Sequence, residues 1–232
     1  MTVINIKGDV VDNLTGQIYS YLQIPAVYPA TVQQGLTDAN GDDVTLQIAS
    51  NGGDVFAASE IYTMLRQYSG KVNVEIQGLA ASAASVIAMA GDNIKMAPTA
   101  LLMIHRAWSV SQGNTDDMQH EAAVLNKIDQ SIVGVYEAKT GMDEQKLLDL
   151  MTQETWLTAD DATKQGFADE IMFVDENKPQ VLNSVSPVAS KNAVNKLLNL
   201  INKASSSEKN STHKHEKNLQ QSKLAILMSK KE

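Results

Sequence analysis

The chain has 232 residues, 43% hydrophobic and 20% charged, enough for one large domain or two small ones around a substantial core. It has no cysteine, which excludes disulfides and thiolate chemistry, and no window approaches the ~20 apolar residues that span a bilayer. The net charge of −8 conceals a division, since Met1–Ser186 carries 24 acidic against 10 basic residues and Pro187–Glu232 carries 3 against 9. An acidic body argues against nucleic acid as the main partner, because phosphate binding needs positive potential. The N-terminus lacks the basic start and apolar run of a secretory signal. The expectation is a cytoplasmic protein that does not engage a membrane.

In chain order, Val3–Ile6 and Val44–Ile48 read as strands. The stretch Ser50-Asn51-Gly52-Gly53-Asp54 follows the second of these and opens a helix over Val55–Tyr68, whose apolar face is Val55, Ala58, Tyr62, Leu65 and Tyr68. Val72–Ile76 alternates apolar and polar residues as a strand, and Ala81–Ala90 suits a buried, alanine-rich helix. Asn93–Met96 and Leu101–Ile104 are further strands. A long helix is predicted over Thr115–Lys139, with Met118, Ala122, Leu125, Ile128, Ile132 and Val135 in one stripe. Shorter helices at Asp143–Met151 and Ala159–Gln165 precede a strand at Ile171–Val174. Strands interleaved with helices indicate an α/β domain, assigned to residues 1–178. Residues 179–232 are rich in Ser, Asn and Lys and read as a largely disordered tail, with one short amphipathic helix at Ala193–Ile201 and a last apolar cluster at Leu224–Met228.

The chemistry centres on Gly78–Ala84, which reads Gly-Leu-Ala-Ala-Ser-Ala-Ala. Ser82 stands there among side chains too small to hide it, where strand gives way to helix and free backbone N–H groups can stabilise an oxyanion. A serine hydroxyl is a poor nucleophile without a base to take its proton and a site for the resulting oxyanion. The body has two histidines. His105 ends an apolar strand and faces a polar loop, a rigid support for a catalytic group, whereas His120 reads as a solvated helix residue beside Glu121. Paired Gly52 and Gly53 let the backbone approach a ligand closely and turn N–H groups towards it. Phosphate cradling is the competing reading, but the segment lacks both the Gly-Lys-Ser/Thr ending of a P-loop and the third glycine of a dinucleotide fingerprint.

Four motifs occur in order: Ser-Asn-Gly-Gly-Asp-Val from Ser50, Gly-Leu-Ala-Ala-Ser-Ala-Ala-Ser from Gly78, Leu-Met-Ile-His ending at His105, and Glu-Thr-Trp-Leu-Thr-Ala from Glu154. Together, over Val3–Val174, the chain resembles the Clp-protease proteolytic subunit family, and most closely its phage and prophage branch, the head maturation proteases. The resemblance implies a crotonase-like α/β fold of stacked ββα units and a serine endopeptidase without metal or cofactor. It puts Ser82 on the nucleophile, His105 on the general base, and Glu154 on the acidic third member, where the family has Asp. Gly52, Gly53 and Ala83 fall on the oxyanion-hole backbone. Asp160, Asp161 and Asp169 are rival third members, and Ser85, three residues on, is the rival nucleophile.

The family's housekeeping members carry an N-terminal extension that grips an ATP-dependent unfoldase, and here the first strand begins close to Met1. The expectation from this is cleavage without a Clp-type ATPase, on capsid, scaffold or portal proteins of a prohead, by a ring-shaped homo-oligomer. The alternatives are the proteolytic subunit of an ATP-dependent Clp protease, a crotonase-type acyl-CoA enzyme, and a non-catalytic assembly factor.

Overall fold

The computed structural model describes residues 2–174; the expected helix at 193–201 and the expected tail boundary lie outside them. The elements in chain order are β1 (Thr2–Val10), α1 (Asn13–Tyr21), β2 (Ala26–Val27), α2 (Pro29–Ala39), β3 (Val44–Gly53), α3 (Val55–Gln67), β4 (Val72–Ala81) and α4 (Ala83–Ala88). There follow β5 (Asn93–Met96), β6 (Leu101–Ile104), α5 (Thr115–Thr140), α6 (Glu144–Thr152), β7 (Thr155–Thr158), α7 (Ala159–Lys164) and β8 (Glu170–Ile171). This is the α/β architecture read from the sequence. The helices α1 and α2 and the strands β2 and β7 were not anticipated, and the expected strand at Ile171–Val174 is instead the two-residue Glu170–Ile171.

The sheet runs in the order β2-β1-β3-β4-β5-β8, with all of these pairs parallel. Crossover helices between parallel strands bury them on the covered face, where Ile6, Leu46, Ile48, Val74 and Ile76 have no exposed surface. On β4 the burial alternates, and between the buried positions Glu75 accepts a hydrogen bond from Gln47 on the neighbouring strand (3.3 Å).

One strand creates the site. Along one edge β4 follows β3, but its other edge changes partner: Asn73–Ile76 pair with β5 and Leu79–Ala81 pair with β6. The strand therefore continues beyond its expected end at Ile76 through Gly78 to Ala81, and α4 begins two residues later than the expected Ala81. Gly-Leu-Ala-Ala has little strand preference of its own; pairing with β3 and β6 overrides it. β6 in turn pairs antiparallel with β7. The carboxyl ends of β3, β4 and β6 thus lie side by side, with Ser50 opposite Ala80 and Ala81 opposite Met103. Outside the carboxyl ends of parallel strands is where α/β sheets present their ligand sites.

Since β4 carries this arrangement, its packing is testable. Ile76→Ala should cost about 3 kcal/mol through the lost transfer energy and the residual cavity, read as a lowered urea midpoint with unchanged slope; a loss below about 1 kcal/mol contradicts a fully packed β4.

Candidate active site

Ser82 follows β4 with φ 54° and ψ −124°, a conformation that non-glycine residues seldom adopt. Its N–H donates to Met103 O (2.9 Å), which ties it to β6. The reversal turns the hydroxyl off the helix end, and Ser82 makes no side-chain capping bond to α4. Instead Ser82 Oγ lies 2.7 Å from His105 Nε2. Two residues 23 apart meet because the strands preceding them are parallel neighbours ending at one level. For Nε2 to accept the serine proton, the ring proton must sit on Nδ1.

The segment after His105 is pinned to α5. Asp129, 2% exposed, accepts from Arg106 Nε (2.6 Å) and from the Ala107 N–H (2.7 Å), and Arg106 also donates to Asn126 Oδ1 (2.7 Å). A buried carboxylate satisfied by one guanidinium and one main-chain donor fixes where the strand end of β6 leads. Nothing in the sequence set Asp129 apart from the solvated acids of α5; it sits beside the apolar stripe rather than in it.

The glycine turn comes next. Ser50 is buried, and its hydroxyl donates to Gly8 O (2.6 Å) while accepting from Gly52 N–H (3.1 Å). The Gly52 amide is therefore already engaged, which narrows the three expected oxyanion donors to Gly53 and Ala83. Asp54 N–H donates to Val10 O on β1 (2.8 Å), and successive strand N–H groups alternate in direction, so that of Gly53 faces away from β1. Ala83 opens α4, where a backbone N–H has no intrahelical acceptor. Gly53 has φ 145° and Gly52 φ 94°. A Cβ on Gly52 would come within 2.6 Å of Ala81 O and 2.8 Å of Ser82 Cβ, so the turn touches the nucleophile directly.

Glu154 immediately precedes β7, in the turn after α6, with φ 49°. The β6–β7 register ends on Ile104 opposite Thr155, which puts Glu154 on the rung next to His105. Its carboxylate, however, accepts from Trp156 Nε1 (3.3 Å), and no hydrogen bond joins it to His105. Two of the rivals are engaged elsewhere. The Thr158 hydroxyl and N–H hold the Asp161 carboxyl below its ordinary value, and Asp161 in return completes the capping box of α7. Asp169 accepts from Ile94 N–H and pairs with Lys139 (2.9 Å). Ser85, the rival nucleophile, is fully buried, and His120 is exposed on α5 as expected.

Ser82, Ala83, His105 and Gly53 line one cleft of about 330 Å³, together with the apolar Val86, Leu125, Ile128 and Ile132. A serine hydroxyl bonded to an imidazole, beside backbone N–H groups and apolar side chains, is an arrangement that suits acyl transfer.

A family model described as Clp protease matches residues 30–175. The chain belongs to the Clp protease family. With that membership goes the enzyme class, a serine-type peptidase. Among curated relatives, the chain is 32% identical over 141 residues to the ATP-dependent Clp protease proteolytic subunit of Deinococcus radiodurans, covering 59% of this chain and 69% of the relative. It is 30% identical over 135 residues to the protein of that name from Bacteroides fragilis, covering 57% and 65%. Among the described residues, no helix is long and apolar enough to cross a membrane.

Because a Cβ at position 52 has main chain and Ser82 on its far side, Gly52→Ala should displace the nucleophile. The expected outcome is a fall in peptidase kcat of about 10²-fold, the scale of one misplaced transition-state contact; unchanged kcat in a folded variant contradicts the tight approach.

Proposed function

We propose that the protein is an endopeptidase in which Ser82 and His105 cleave peptide bonds through an acyl-enzyme, working as the proteolytic subunit of a Clp-type assembly. The observation that carries this reading is the 2.7 Å contact between Ser82 Oγ and His105 Nε2 at the mouth of an apolar cleft. His105 takes the hydroxyl proton as Ser82 Oγ attacks the carbonyl carbon, and returns it to the leaving amine nitrogen as the C–N bond breaks. The ester that remains is hydrolysed by a water that His105 deprotonates in turn. The negative oxygen of each tetrahedral intermediate lies against the N–H groups of Gly53 and Ala83. Val86, Leu125, Ile128 and Ile132 suit an apolar side chain next to the scissile bond.

Glu154 is the proposed third member. Its place on the rung beside His105 supports the assignment, and turning the carboxylate from Trp156 to His105 Nδ1 would hold the tautomer that catalysis needs. The relatives' names favour an ATP-dependent proteolytic subunit, and with it a ring-shaped homo-oligomer, over the head maturation reading; nothing in those matches bears on capsid, scaffold or portal substrates.

Three outcomes are expected. Ser82→Ala and His105→Ala each lower hydrolysis of a fluorogenic peptide with an apolar residue before the scissile bond by about 10⁴-fold or more, whereas activity surviving Ser82→Ala points to a crotonase-type reaction. Glu154→Ala lowers kcat by about 10²-fold or more, and full activity would remove it from the triad. Breakdown of a folded substrate is stimulated by a Clp-type ATPase with ATP; unstimulated processing of a capsid protein would restore the head maturation reading.

A further inference from the structure

Next to Ser82, two more hydroxyls are buried. Ser85 has no exposed surface and Tyr136, on α5, is 1% exposed. Ser85 Oγ lies 2.6 Å from Ser82 O and 2.7 Å from Tyr136 Oη. A serine hydroxyl has one proton, and a carbonyl oxygen can only accept. Ser85 therefore donates to Ser82 O, and the proton in the second bond belongs to the phenol. The direction of the chain is fixed: Tyr136 donates to Ser85, which donates to the Ser82 carbonyl. Burial pushes the Tyr136 hydroxyl far above its ordinary pKa, so the donor keeps its proton. The ring is itself held edge-to-face against Phe167, with centroids 5.8 Å apart.

The group that is gripped matters. The Ser82 carbonyl and the Ala83 N–H belong to one peptide plane, and in a trans peptide they point in opposite directions. The carbonyl also accepts from the main-chain N–H groups of Ser85 (2.9 Å) and Val86 (3.4 Å), and the Ser85 hydroxyl at 2.6 Å completes the grip that aims the Ala83 N–H into the cleft. The same grip holds Ser82 in a backbone region that costs of order 1–3 kcal/mol to occupy.

We propose that Tyr136 and Ser85 are positioning residues that set the oxyanion donor of Ala83 by clamping the Ser82 carbonyl. Both hydroxyls are bonded to one another and to the Ser82 carbonyl rather than to Ser82 Oγ or His105. The proposal rests on the peptidase reading above, and it adds a reason for two hydroxyls in a position that an all-apolar core would fill.

The test is the double variant Ser85→Ala/Tyr136→Phe beside the single variant Tyr136→Phe. Removing both partners leaves no orphaned donor, so the double variant should unfold at close to the wild-type urea midpoint. Its kcat should fall by about tenfold or more, within the range of a weakened oxyanion donor, with KM within about twofold. Affinity for a peptidyl boronic acid, which forms a tetrahedral adduct on the nucleophile, should fall by the same factor as kcat/KM. If the double variant does not fold, Tyr136→Phe is read for the same kcat and boronate losses at smaller size. A folded variant with wild-type kcat and boronate affinity overturns the proposal and leaves the peptidase reading intact. A wild-type enzyme without Ser82-dependent turnover overturns both.

Discussion

Everything at the site depends on one backbone reversal, the turn at Ser82 between β4 and α4. A strand that simply ran on would point the next side chain along the sheet normal; an N-cap in the usual extended conformation would turn the hydroxyl onto the first amides of α4. At φ 54° the residue does neither, and its oxygen is delivered to His105. Such a conformation persists only when its surroundings over-determine it. Here they do: the N–H of Ser82 is held by Met103 on β6, its carbonyl receives Ser85, and Gly52 closes against its Cβ. Each of these contacts comes from a different part of the chain, which is why the strain is stable.

The second constraint is helix α5. It supplies Asp129 to the segment after His105 and Tyr136 to the segment behind Ser82, two buried polar groups seven residues apart and hence on the same face. Both Ser82 and His105 are thus referenced to one rigid element. The apolar residues of the same helix, Leu125, Ile128 and Ile132, form the wall of the cleft. Binding pocket and catalytic geometry share a scaffold, an arrangement that keeps a site tight to within fractions of an ångström.

Much of this was legible in the sequence, and the failures have physical causes. Period-two runs marked the first halves of β3 and β4, and the lone strand-end histidine and the small-residue serine were identifiable as a pair from their types and surroundings. The continuation of β4 to Ala81 was not, because alanine and glycine there are held as strand only by neighbours distant in sequence. Helix α1 was missed although Leu14, Ile18 and Tyr21 repeat at four and three residues; that stripe stays largely exposed instead of joining the core. Motif order marked Glu154, but the direction of its carboxylate depends on a local φ of 49° and on Trp156, neither of which a motif encodes. Asp129 and Tyr136 carried no signal, since a buried polar group looks like any other until its partner is known.

The central claim is that one serine, activated by one imidazole, performs the chemistry. Peptide mapping of the protein after treatment with a fluorophosphonate tests it most directly. The account predicts a single adduct on Ser82, absent from His105→Ala under the same conditions. An adduct on Ser85 or another serine, or labelling of Ser82 at an undiminished rate without the imidazole, would contradict it.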